Sequence, residues 1–173
     1  MSSASPKPTA SIGFLTVVEN TELGLLGGYL LLNAAARPLE FHCTAPVKPS
    51  RTQEILYGPT LRPYLFGEQI GQTLLARSKL TPVVVCTDSQ PVLSAREGTH
   101  LPLVLVSDGI SSAANGGFSL AKNVVSAAPG FESDERAVRE AWPALADHLD
   151  LLEPFARIRE ALDEAQKGAR QAA

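Results

Sequence analysis

Four groups of residues have types that could do chemistry. In the stretch EFHCTAPVKP, residues 40–49, His42 stands beside Cys43. A histidine touching a cysteine makes a base and a nucleophile, because the imidazole can take the thiol proton. Strand geometry argues against this pair, since neighbours in a strand point to opposite faces. If Leu39, Phe41 and Cys43 face the core, Glu40 and His42 face the other side. Cys43 then reads as a small buried hydrophobe. As a nucleophile it would need His100 or His148 brought to it, or a cationic neighbour that lowers its pKa. Cys43 and Cys86 form no CxxC-type metal pattern. With three histidines in the chain, a zinc site could arise only by convergence of distant ligands.

The second group is a pair of similar endings, Val85-Cys86-Thr87-Asp88 and Leu105-Val106-Ser107-Asp108. If both runs are parallel neighbours, Asp88 and Asp108 leave the sheet at one edge, the edge where open α/β sheets bind ligands. Two carboxylates there can hold a hard cation such as Mg²⁺ and act on a phosphorylated substrate. If the runs are antiparallel, the acids lie at opposite ends and the arrangement fails. The structural alternative is that Asp88 caps a helix and Asp108 begins a turn.

The third group, residues 111–119, contains Gly116-Gly117 and two serines, Ser111 and Ser112. It lacks the GxGxxG and GxxxxGK[ST] patterns of phosphate cradles. The chain also has no GxSxG elbow and no HExxH, so no cofactor is named by its sequence. The fourth group is an aromatic and basic segment holding Arg51, Tyr57, Arg62, Tyr64 and Phe66. Tyrosine and arginine anchor many protein interfaces; the same rings could equally seat a helix on a sheet.

The elements that would position these groups follow from patterning. Residues 11–18 (SIGFLTVV), 29–32 and 38–43 read as strands. Their short links favour an antiparallel meander, because a parallel pairing needs a long crossover. Glycines 24, 27 and 28 mark a turn or bulge before the second strand. Ser50 caps a helical turn stopped by Gly58-Pro59. A longer helix follows Pro63, with Leu65, Ile70, Leu74 and Leu75 at helical spacing. Gly67 and Gly71 weaken it but allow another backbone to approach.

The runs PVVVC and LPLVLV are strands buried on both faces. Between them SQPVLSAREGTH is either a short helix closed by Gly98, giving a parallel crossover, or an extra strand at 92–95. Residues 109–119 form a loop or a hairpin about Asn115-Gly116. Residues 121–126 form one more short strand or helix. Ser133 opens a helix with Val138, Ala141, Trp142, Leu145 and Leu149 on one stripe, kinked or broken at Pro143. Pro154 opens a last helix that turns Phe155, Ile158 and Leu162 inward.

These elements make an α/β domain of the α+β type: a three-stranded antiparallel meander, a central helix, further buried strands, and C-terminal helices on the sheet. Its expected limits are residues 11–165, with a disordered leader at 1–10 and a flexible polar tail at 166–173. The order of elements resembles small longin-like and roadblock-like interaction domains, in which helices cover a sheet. At 173 residues, 45% hydrophobic and 19% charged, the composition is that of a globular protein. Net charge is −3 with no basic field, which disfavours nucleic acid. No apolar run is long enough to span a bilayer and no secretory signal is present, so a cytoplasmic location is expected.

The leading expectation is therefore a non-catalytic subunit or adaptor that self-associates or binds a protein partner through the Arg51–Phe66 segment. The alternative is a metal-dependent enzyme acting on a phosphorylated or nucleotide substrate through Asp88 and Asp108. A third reading is a cysteine-dependent enzyme using Cys43.

Overall fold

Alternating and continuous apolar runs in the sequence become, among the described residues, one mixed sheet of seven strands. A computed structural model describes residues 10–108, 117–120, 122–141 and 150–172. The strands are β1 (Ser11–Asn20), β2 (Gly24–Asn33), β3 (Pro38–Cys43), β4 (Val84–Thr87), β5 (Leu103–Asp108), β6 (Phe118–Leu120) and β7 (Asn123–Ala127). Their order across the sheet is β3-β2-β1-β4-β5-β7-β6. The meander β1-β2-β3 is antiparallel, as its short links require. β4 lies parallel to β1 and β5 parallel to β4.

The ambiguous stretch between β4 and β5 is the helical crossover, a 3-10 segment from Gln90 to Gly98, and not an extra strand. Parallel neighbours cannot be joined by a tight turn, and this segment carries the chain back across the sheet. Between β3 and β4 the chain is helical from Arg51 to Arg77: α1 (Arg51–Tyr57), a 3-10 turn (Gly58–Thr60), α2 (Leu61–Pro63), a π-helical stretch (Tyr64–Gly71) and α3 (Gln72–Arg77). Ser50 and Gln53 close a full capping box at its start. The C-terminal part supplies α4 (Ser133–Ala141) and α5 (Glu153–Ala172).

Two apolar layers form because every strand of the sheet interior is apolar on both faces. On one face Ile12, Phe14, Leu30, Val84, Cys86 and Val104 pack under Val138 of α4 and Phe155, Ile158 and Leu162 of α5. On the other, Leu15, Tyr29, Leu31 and Val85 meet Leu65, Phe66, Ile70 and Leu74, together with Val92, Leu93 and Ala95 of the crossover. The domain is a helix–sheet–helix sandwich of three layers.

Two local expectations are corrected, and the close approach expected at Gly67 is present. Gly24, Gly27 and Gly28 lie inside β2 and are not a turn before it. A Cβ on Gly27 would stand 2.2 Å from Ile70, and one on Gly28 2.4 Å from Ile158, so both helical layers press on the strand where it has no side chains. Gly67 admits the crossover: its Cβ would meet the Ser94 hydroxyl at 1.8 Å and the Ala95 nitrogen at 2.7 Å. Finally, Leu39, Phe41 and Cys43 do not face the core. β3 is an edge strand, and the face carrying these three is open, leaving Phe41 39% exposed and Cys43 exposed.

Residues 1–9, 109–116, 121, 142–149 and 173 fall outside the described residues. With them go the expected leader, most of the Asn115-Gly116 loop, Ser111, Ser112, Trp142, Pro143, Leu145, His148 and Leu149.

Candidate functional site at the carboxyl edge of the parallel strands

The chain leaves β1 toward β2 and leaves β4 toward β5, so the two outgoing connections diverge. A crevice opens at that divergence, outside the carboxyl ends of neighbouring parallel strands. A cavity of about 340 Å³ lies there, lined by Thr16, Val17, Val18, Glu19, Arg62, Phe66, Asp88, Ser89 and Arg159. A larger cavity of about 400 Å³ opens between Pro91, Ser94 and Phe131. Its lining carries a single carboxylate, Glu97, and no cation, so the charged crevice is the better chemical site.

Asp88 follows β4 directly and lines the crevice. It does not cap the crossover helix. One oxygen accepts the Thr16 hydroxyl at 2.6 Å, and the other pairs with the Arg159 guanidinium from α5. Thr16 is fully buried among apolar neighbours, and a buried hydroxyl requires a partner; Asp88 is that partner. On the opposite side of β1, Glu19 pairs with Arg62, whose guanidinium lies 4.6 Å over the Phe66 ring. Two arginines thus face the crevice, each neutralised by a carboxylate.

Asp108 ends β5 at the same edge, opposite Asn123 of β7. Register pairs Thr87 with Leu105. Asp88 follows directly on Thr87, and Asp108 stands three residues beyond Leu105 on β5. Both belong to the face that carries Cys86, Val104, Val106 and α5. Among the described residues, no three His, Cys, Asp or Glu side chains gather as a metal cage.

The remaining sequence candidates lie elsewhere or have other partners. His42 and Cys43 occupy opposite faces of β3. His42 contacts Glu40 at 3.1 Å and stacks on Tyr29. His100 precedes β5, at the edge away from Cys43. Tyr57 stacks on Tyr64 with centroids 4.5 Å apart, Phe66 is buried, and Arg51 pairs locally with Glu54.

Sequence reasoning missed Thr16 and Arg159, although both leave a signal. Thr16 is a polar residue on the inward alternation Ile12, Phe14, Thr16. Arg159 is exposed but lies beside the inward stripe of α5, four residues after Phe155 and three before Leu162.

No protein-family model matches the chain, and no curated protein does. Among solved structures it is similar to the Ciona intestinalis endonuclease V in complex with a 23mer DNA containing an inosine followed by a ribo-adenosine. The TM-score is 0.38 at 13% identity, over 62% of this chain and 49% of that one. The match therefore spans about half the length of that structure. That structure is a DNA-bound enzyme, which conflicts with two expectations, the non-catalytic adaptor with a protein partner and the exclusion of nucleic acid, and neither is carried forward. At that score and identity, the likeness assigns no activity, substrate or residue role here. No helix among the described residues is long and apolar enough to cross a membrane.

Proposed function

We propose that the chain is a metal-dependent enzyme acting on a phosphorylated or nucleotide substrate at the carboxyl edge of β1, β4 and β5. The observation that supports it is the position of Asp88, which lines the crevice where the connections from β1 and β4 diverge. Asp88 and Asp108 are the groups that would hold the cation. Mg²⁺ suits such a site, since it is commonly bound by one or two carboxylates and completes its shell with water and substrate phosphate oxygens. Bound there, it supplies charge stabilisation to the phosphoryl group.

Arg159 has a second role in this reading. Its guanidinium neutralises Asp88 and would be the group of this chain that receives a phosphate oxygen, which arginine matches with two parallel hydrogen bonds. Arg62 approaches from the other helical layer and flanks the same space. Thr16 holds the Asp88 carboxylate in one orientation through its hydroxyl.

The test is phosphate release from a panel of nucleoside and sugar phosphates with Mg²⁺, for the wild-type chain and Asp88→Asn. The expected loss is roughly 100-fold, the scale of removing one electrostatic contact from a site. Wild-type activity in Asp88→Asn, or turnover unaffected by a chelator, would overturn the reading.

A further inference from the structure

The charged crevice has an apolar neighbour. A second cavity of about 340 Å³ lies between the β1–β2 turn, the segment at Val47, and the helical layer, and it shares Glu19, Arg62 and Phe66 with the first. Its walls are Leu25, Val47, Leu61 and Leu65. Leu25 and Val47 exchange backbone hydrogen bonds of 2.8 and 2.9 Å, which fixes that wall. We propose that the two cavities are subsites for one nucleotide unit, with the phosphate beside Asp88 and Arg159 and the base among Leu25, Val47, Leu61 and Leu65. The inference rests on the reading of the Asp88 site given above.

Three features favour a base over a hydrocarbon tail in the second cavity. Arg62 and Phe66 already form a cation–ring stack at the boundary, and a guanidinium plane stacks readily on a further planar ring. Asn20 lines the rim, its Oδ1 fixed by the N–H groups of Glu22 and Leu23; an amide edge serves a heterocycle and gives nothing to an alkyl chain. The Arg62–Glu19 pair separates the polar end from the apolar end, matching a substrate that is charged at one end and a flat ring at the other. Pockets of this size, apolar with a few polar groups, are those that take small ligands.

The experiment is calorimetric titration of the full chain, in Mg²⁺, with adenosine monophosphate, ribose 5-phosphate and the dinucleotide pApA. The expected result is that adenosine monophosphate binds at least about 10-fold tighter than ribose 5-phosphate, as stacking of one base supplies. Leu61→Trp, which fills the apolar cavity, is expected to erase that preference, and Val47→Phe provides the same block should Leu61→Trp not fold. Equal affinity for the two monophosphates, or a preference surviving both blocking variants, overturns the base subsite and leaves the Asp88 reading standing. Binding of neither compound overturns both. Tighter binding of pApA assigns the nucleotide unit to a strand, and equal binding assigns it to a free nucleotide; either supports the pair of subsites.

Discussion

Thr16 on β1 gives its hydroxyl hydrogen to Asp88, 72 positions away, at 2.6 Å. This bond crosses from one parallel strand to the end of the next and fixes the carboxylate in the crevice. Asparagine keeps an acceptor oxygen for Thr16, whereas alanine leaves the buried hydroxyl without one. Asp88→Ala is therefore expected to lower stability by about 1–3 kcal/mol, and Asp88→Asn by distinctly less. Urea denaturation of the two variants checks this. Equal losses would mean that Thr16 does not depend on Asp88.

A second polar contact ties the crossover to α4. Arg96 and Asp134 form a two-pronged pair at 2.7 and 3.2 Å, and their side chains are only 15% and 4% exposed. Asp134 also accepts the Leu103 N–H, and Arg96 stacks 4.4 Å over Phe131. Removing one partner strands a buried charge. Asp134→Ala is expected to destabilise by about 3–5 kcal/mol, read as a shift in denaturation midpoint at unchanged slope. A loss within the range of exposed ion pairs, under about 1 kcal/mol, would show that the pair is solvated.

Glu40 carries a pH dependence of stability. The Lys79 backbone N–H is the main cause that holds its carboxyl down at about 2, with the Leu80 N–H and the His42 and Ser78 side chains adding to it. Because the folded value lies below the unfolded one, the stabilisation is present above roughly pH 4.5 and is lost as pH falls toward 2. Glu40→Gln should flatten the acid side of the stability curve between those limits. Parallel curves for variant and wild type would remove Glu40 from the account.

The two cysteines should differ in reactivity. Cys43 is exposed on the edge strand. Cys86 is buried in β4, and burial pushes its thiol up to about 12. Near pH 8 a disulfide reagent such as Ellman's is expected to label one thiol in the folded chain and two after denaturation. Rapid labelling of both in native buffer would show that the sheet opens on the timescale of the reaction. Cys43→Ser identifies the fast site.

Much of this architecture can be read from the residues alone, because it depends on local periodicity. Short links made β1-β2-β3 an antiparallel meander, and the continuous runs at β4 and β5 marked strands buried on both faces. Ser50 with Gln53, and the spacing of Phe155, Ile158 and Leu162, announced the helices that they begin or bury. The glycines of β2 misled, since a residue without a side chain marks a turn and a close approach equally well. Only the distant side chains of Ile70 and Ile158 distinguish the two.

Residue type and order determined the class of the domain, the strands that end in Asp88 and Asp108, and the impossibility of a regular His42–Cys43 pair. The tertiary structure decided what those features mean. Burial of Cys43 depended on whether a helix covers the edge strand, and α5 packs over β1 and β2. The placement of Asp88 and Asp108 at one edge depended on a parallel crossover that nine residues of 3-10 helix supply. The partners of Asp88 lie 72 and 71 residues away, and no local pattern encodes a contact across that separation. It exists because burying both faces of the sheet fixes β1 beside β4 and lays α5 over β1 and β2.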